Sequence, residues 1–294
     1  MTPSATVAPA PLDTPLPAPP PAAAARSGAK IAFTSKRDGD QEIYVMNSDG
    51  TAQTRIFVDP EFADGGATWS PDGSKLAFHR VSAAPPISSD IYAINVDGTG
   101  LGQLTNSPGE DNNPNWSPDG SRIVFESTRD GNYEIYVMNA DGSGQVNLSN
   151  SPSSEEFPEW SPDGARIIFA SDRTGNEDLF VMNSDGSGIQ QVTFGASDDW
   201  PGTWSPDASR IAFASNAPGN NDIFTMNSDG TGVQQVTTNS ADDWLPDWSP
   251  GGSEIAFSSS RSGTKDIYVI RLDGSSAVAV TSDPAGDFDP SWSP

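Results

Sequence analysis

The 294-residue chain contains no cysteine and a single histidine, His79. Those two shortages remove thiolate nucleophiles, disulfides, Cys-ligated metals and any His-paired nucleophile from consideration. Basic residues are scarce as well: 15 Lys and Arg stand against 40 Asp and Glu, a formal net charge of −25. A surface this acidic repels phosphate backbones, so nucleic acid is not an expected partner, whereas cations and basic protein surfaces are. No apolar run approaches the length of a bilayer span, so direct membrane insertion is not expected. The N-terminus lacks the basic-then-apolar pattern of a signal peptide, which places any export signal outside this sequence. Helical periodicity is missing too; no segment sustains it long enough to compete with short strands.

What is abundant is glycine (28) and proline (26). Residues 1–28 form a Pro/Ala tract, whose prolines favour extended conformations and read as a solvated, semi-rigid spacer. The remainder, 29–294, is organised by a repeat. Aligned on Trp-Ser, the tryptophans are Trp69, Trp116, Trp160, Trp204, Trp248 and Trp292, spaced by 47 and then four times by 44 residues. A fixed period of this size signals a solenoid or a propeller. Each period holds four segments suited to strands. One ends at the tryptophan; after Ser-Pro-Asp-Gly comes an Ile/Leu-x-Phe run; after a polar loop comes Ile-Tyr-Val-Met-Asn or a variant; an Asp-Gly turn leads to a last segment such as Gln-Gln-Val-Thr. Proline presets the second turn position and Asp-Gly is a strong hairpin signal.

Four antiparallel strands per unit of this length make a propeller blade, and six copies of each segment make six blades. The fold expected is therefore all-β, a six-bladed β-propeller. Its repeat begins at Ile31 on a second strand and stops after Trp292 on a first strand. Ring closure thus requires the segment 287–293 to pair with 30–34, leaving no exposed inner edge. A monomer is expected.

At these residues the sequence resembles the TolB-type propeller repeat, Pro-x-Trp-Ser-Pro-Asp-Gly-x-x-Ile-x-Phe followed by Asp-Ile-Tyr-x-Met. The resemblance covers about 29–294. It implies a protein-binding propeller of the bacterial envelope, periplasmic or extracellular, with the Trp-Ser strand innermost; it implies no chemistry and no required cofactor. TolB itself carries an α/β domain ahead of the propeller, where the Pro/Ala tract stands here, so the chain is expected to differ from TolB proper.

Candidate site residues follow from strand direction. Five residues before each tryptophan stands an acid: Asp64, Asp111, Glu155, Asp199, Asp243 and Asp287. Sixfold symmetry should gather them near the channel mouth, where they would either bind a cation such as Ca²⁺ or accept backbone N–H bonds that fix each loop. A second acidic set, Glu42, Asp90, Glu134, Asp178, Asp222 and Asp266, precedes the third strand. With Arg37, Arg129, Arg173 and Arg261 it reads as loop hydrogen bonds or weak surface pairs.

Departures from symmetry are sharper clues. Four residues before the tryptophan, three successive units place Trp200, Trp244 and Phe288, beside the acids Asp198, Asp199, Asp242 and Asp243. Such an aromatic arc would suit a protein or peptide bearing apolar and basic side chains, or would wedge between blades. The longer loop 79–90 accounts for the 47-residue step and should shape one rim. The function expected is non-catalytic binding or scaffolding. The alternatives are a calcium-dependent lactonase- or glycosidase-like enzyme at the acidic mouth, and an extracytoplasmic sensor domain tethered by the tract.

Overall fold

The computed structural model describes residues 28–82 and 88–294. The expected spacer up to residue 27 and the middle of the long loop, 83–87, lie outside the described residues.

The repeating segments fold as their turn chemistry dictates. In Ser117-Pro-Asp-Gly120 the Gly120 N–H donates to the Ser117 carbonyl at 2.8 Å, and Ser117 Oγ donates to Asp119 at 2.6 Å. The Asp-Gly turn between third and fourth strands needs glycine twice over. Gly142 has φ 85°, and a Cβ there would sit 2.4 Å from the Leu104 carbonyl of the neighbouring blade. That turn is therefore also a point of blade-to-blade packing.

Six sheets result, each of four antiparallel strands. Blade 1 combines the C-terminal strand Asp287–Trp292 with strands of residues 30–55; blades 2 to 6 follow as 62–103, 111–147, 155–191, 199–235 and 243–279. The expected closure is present, with Trp292 opposite Ile31 and Asp287 opposite Ser35. Outermost strands are only two residues long, for example Gln190–Gln191, which leaves little free edge.

The core lies in the seams between blades. Ile211 and Phe213 of blade 5 pack with Ile168, Leu179 and Val192 of blade 4, whereas Ala212 and Ala214 pack against Trp248 and Phe257 of blade 6. Alternate residues of one strand thus serve opposite seams, so the strand reads as a continuous apolar run. Each fully buried Phe or Ile contributes roughly 1.5–3 kcal/mol by its removal from water.

One local feature aims the functional residues. Every inner strand slips register between the fourth and first residues before its tryptophan. Within that bulge Asn113, Phe157, Leu245 and Asp289 take φ of 48°, 53°, 53° and 54°, and Gly66 takes 61°. Left-handed backbone at four non-glycine residues stores strain and re-aims side chains. In blade 5 the position is Pro201, whose ring forbids that conformation.

Candidate functional site

The bulged residues of all six blades enclose a central channel of about 420 Å³. Its wall is mostly apolar, with Phe157, Pro201, Trp244, Leu245, Pro246 and Pro290 prominent. Polar groups interrupt it at Asn113, Asn115, Glu159, Asp247, Asp289 and Lys265.

The six carboxylates expected at the mouth do not line this channel, which corrects their placement. Asp64, Asp111, Glu155, Asp243 and Asp287 are fully buried, and Asp199 is nearly so. The backbone N–H groups of all but Asp111 knit neighbouring blades, as where Asp243 donates to the Asn221 carbonyl at 2.8 Å. Five of the six meet a guanidinium of their own blade: Arg80 for Asp64 (2.8 Å), Arg129 for Asp111 (3.0 Å), Arg173 for Glu155 (2.6 Å), Arg261 for Asp243 (2.8 Å) and Arg37 for Asp287 (2.9 Å). The four loop arginines are thus partners of the inner set, not surface partners of the second acidic set; this too departs from expectation. Burial still holds the Asp64, Glu155 and Asp199 carboxyls above the ordinary range. Among the described residues no group of three or more His, Asp or Glu is placed to hold a metal ion.

The second acidic set forms loop hydrogen bonds, as its positions suggest, but five of the six are buried and only Asp90 is half-buried. Asp222 accepts from Thr237 Oγ1 at 2.9 Å and from Gln235 Nε2 at 3.0 Å, tying the third strand to the fourth. Glu42 pairs with Arg55, and burial pushes its carboxyl up to about 7.

Trp200 and Trp244 do come together, their ring centroids 4.9 Å apart at 37°. Both are half-buried: Trp200 packs on the blade 4–5 seam with Phe157, and Trp244 on the blade 5–6 seam while reaching the channel wall. The flanking acids are spoken for in different degrees. Asp198 exchanges hydrogen bonds with Asn216 at 2.9 Å, whereas exposed Asp242 accepts from Asn221 at 3.0 Å. Phe288 stands apart from the pair. Its ring lies under two ammonium groups, Lys36 at 5.4 Å and Lys265 at 5.7 Å. The rim is therefore acidic beside the tryptophans and basic beside Phe288.

Sequence reasoning missed the channel acids. Glu159 Oε1 accepts the Trp204 N–H of the next blade at 2.8 Å, and Asp247 Oδ2 accepts that of Trp292 at 2.6 Å. Asn115 does the same for Trp160 at 3.0 Å. Thr203 Oγ1 lies 3.0 Å from Glu159 and 3.4 Å from Asp247, bridging the two carboxyls. Burial, reinforced for Glu159 by the Asp247 charge, pushes these groups up to about 8 and about 7. Burial likewise raises Glu126, which accepts the bulged Phe157 N–H at 2.7 Å, to about 8. His79 packs on Gly65 and Gly66 behind the wall; burial lowers it to about 4, so it is neutral at pH 7. The variation of residues three and one before each tryptophan was the available signal.

Comparisons with known proteins agree with this architecture. The family model of the TolB beta propeller domain matches residues 63–154 and 144–245. No curated protein matches the chain. TolB from Acinetobacter baumannii superposes with a TM-score of 0.80 at 22% identity, over 92% of this chain and 67% of that one. Putative TolB from Agrobacterium tumefaciens gives 0.70 at 20% identity, over 90% and 97%. An oligogalacturonate lyase in complex with manganese gives 0.61 at 15%, over 86% and 74%. At these identities the likeness is one of fold, shared with TolB and with a lyase alike.

Proposed function

The chain belongs to the TolB beta propeller domain family, and from that premise we propose that it is a non-catalytic binding propeller of the bacterial envelope. It holds a protein or peptide at the tryptophan-bearing end of its channel. The observation that carries this reading is the half-buried Trp200–Trp244 pair, continuous through Trp244 with the apolar wall of Phe157, Leu245 and Pro246. Rigid aromatic surface beside acids and lysines is how a hot spot for an amphipathic partner is built. A periplasmic or extracellular setting fits the family; among the described residues no helix is long and apolar enough to cross a membrane. The test is affinity chromatography of envelope extract on the immobilised protein, followed by affinity measurements for the recovered partner. Trp200→Ala and Trp244→Ala should each weaken binding about 30-fold, the equivalent of about 2 kcal/mol. Unchanged affinity in both variants would remove the tryptophan pair from the function.

One observation favours a second reading. The Glu159–Asp247 pair keeps two carboxyls near neutral titration inside the channel, as acid–base catalysis requires. A hydrolase and lyase panel that finds activity abolished by Glu159→Gln would establish it.

A further inference from the structure

Blade 5 breaks a pattern kept by four of its five sisters, and blade 2 meets the same need with Arg80 from its second strand. In blades 1, 3, 4 and 6 the loop after the second strand carries an arginine, and its guanidinium occupies the same setting each time. In blade 3, Arg129 Nε donates to Ser127 Oγ at 2.8 Å, and one terminal nitrogen donates to both Asp111 oxygens at 3.0 and 3.1 Å. Its guanidinium carbon, Cζ, lies 5.5 Å from the Phe125 centroid and 4.5 Å from that of Tyr136. Arg173 and Arg261 repeat this over Phe169–Phe180 and Phe257–Tyr268.

Of the parts that the four blades share, blade 5 retains every one except the cation. Asp199 is the carboxylate, Ser215 the hydroxyl opposite it in register, and Phe213 and Phe224 the rings, with centroids 5.7 Å apart. The residue in the arginine's place is Ala217. The loop backbone runs as in blade 3: Ala217 N–H donates to Ser215 Oγ at 3.3 Å, as Arg129 N–H does to Ser127 at 3.4 Å. The missing side chain has left a mark on exposure. Asp199 is 6% exposed where its five counterparts are at 0%, and Phe224 is half-buried where Tyr44, Tyr136, Phe180 and Tyr268 are buried. The neighbouring Asp178 and Asp198 add negative charge that no guanidinium of this blade balances.

We propose that the recess formed by Asp199, Ser215, Phe213 and Phe224 is a receptor for an arginine side chain of the partner protein. The incoming guanidinium would stack on the two rings, donate through Nε to Ser215 and through a terminal nitrogen to Asp199, as the internal arginines do. Arginine fits better than lysine because both the flat stacking surface and the forked donors are used. The inference rests on the proposed function only in taking the cation from a protein; Asp199 adjoins Trp200 in the chain, so one partner segment can engage both features.

The experiment uses a small probe, so that its failure is distinguishable from failure of the tryptophan site. N-acetyl-L-arginine methylamide is titrated into the ¹⁵N-labelled full chain, with the neutral citrulline analogue and the lysine analogue as controls. The arginine probe should bind in the millimolar range and shift the amides of Ser215, Ala217 and Phe224. The citrulline and lysine analogues should bind at least about tenfold more weakly. Asp199→Asn, and the double change Ala217→Arg with Pro218→Asp that rebuilds the turn of blade 3, should each abolish the response. Equal response to citrulline or lysine, persistence in the rebuilt blade, or no response to the arginine probe would overturn the assignment. The Trp200→Ala and Trp244→Ala affinities answer the separate question of the tryptophan pair.

Discussion

Blades 3 and 5 have inner strands of the same length paired in the same register, Asp111 opposite Ser127 and Asp199 opposite Ser215. They nonetheless treat that buried carboxylate in opposite ways. Blade 3 supplies Arg129 as its cation, and blade 5 supplies none. Blade 3 turns at Gly120 with φ 68°, and blade 5 makes the same turn with Ala208 at φ 57°. The backbone hydrogen bonds of the two turns match, 2.8 Å in each case. Strand pairing and seam packing therefore hold the geometry, and polar decoration is free to vary from blade to blade. Where decoration varies, function is to be sought.

The strongest way to break the comparison is to remove what every blade shares. Blade 1 alone is assembled from both ends of the chain, through Asp287–Trp292 on Lys30–Ser35. Deleting 287–294 takes away an inner strand, the Trp292 anchor and the carboxylate of Arg37. Cooperative thermal unfolding, followed by circular dichroism, should be lost. A truncated chain that melts like the parent would show that closure does not hold the ring.

A smaller effect is expected from making blade 3 imitate blade 5. Arg129→Ala leaves Asp111 wholly buried without a cation. Breaking a buried pair in this way costs about 3 kcal/mol, and less here because the Arg129 side chain is 16% exposed. Urea denaturation should therefore show a loss of roughly 2 kcal/mol. A loss below about half a kilocalorie would mean that the inner carboxylates need no partner, and the contrast with blade 5 would lose its meaning.

The channel acids sharpen the contrast, because they are given N–H donors and no arginine. Their folded pKa values, about 8 for Glu159 and about 7 for Asp247, lie above the ordinary 4.5 and 3.8. Groups raised in this direction contribute stability that is complete below the unfolded values and is lost as pH rises through 7 to 8. His79 acts oppositely: lowered to about 4 from 6.5, it contributes above pH 6.5 and loses that share as pH falls toward 4. The clean window is thus pH 6.5 to 9. Stability should fall across it by an amount of order 1 kcal/mol for each unpaired acid. Glu159→Gln keeps the acceptor for Trp204 N–H and removes the charge, so its urea midpoint should fall less over the same window. Parallel profiles for parent and variant would show that Glu159 does not titrate there.

The ring was legible because its signals are local and sixfold: Trp-Ser, Pro-Asp-Gly, Ile-x-Phe and Asp-Gly recur at fixed offsets, and each acts through turn or strand chemistry. The site was legible in part. Trp200 and Trp244 stand out by their departure from symmetry, and their rings do meet, tilted, 4.9 Å apart. Sixfold symmetry alone points the inner carboxylates to the channel mouth, whereas the bulge turns the residue three before each tryptophan into the channel. Their loop arginines read as partners of the second acidic set, because Asp111 and Arg129 are 18 residues apart and meet only after strands pair. Glu159 and Asp247 escaped notice because their partners, Trp204 and Trp292, belong to the next blade in each case.

The smallest expected effect concerns the other oddity of blade 5. At the turn before the second strand, blades 2, 3, 4 and 6 have Gly73, Gly120, Gly164 and Gly252, with φ between 65° and 69°. Ala208 adopts the same left-handed conformation at 57°. The strain lies in the backbone and not in crowding, since a Cβ at Gly120 would meet nothing closer than Pro71 at 3.7 Å. Left-handed backbone costs an ordinary L-residue about 1–2 kcal/mol. Glycine relieves that cost but brings greater freedom to the unfolded chain, which returns about 0.4–1 kcal/mol. Ala208→Gly should therefore stabilise the protein by up to about 1 kcal/mol, seen as a rise of about 2 °C in Tm for a domain this large. The recess at Asp199 lies at the opposite end of the second strand, 210–215, so arginine-probe binding should be unchanged. A variant less stable than the parent would mean that Ala208 is held by contacts that outweigh its backbone strain, and blade 5 would then differ from its sisters in packing as well as in decoration.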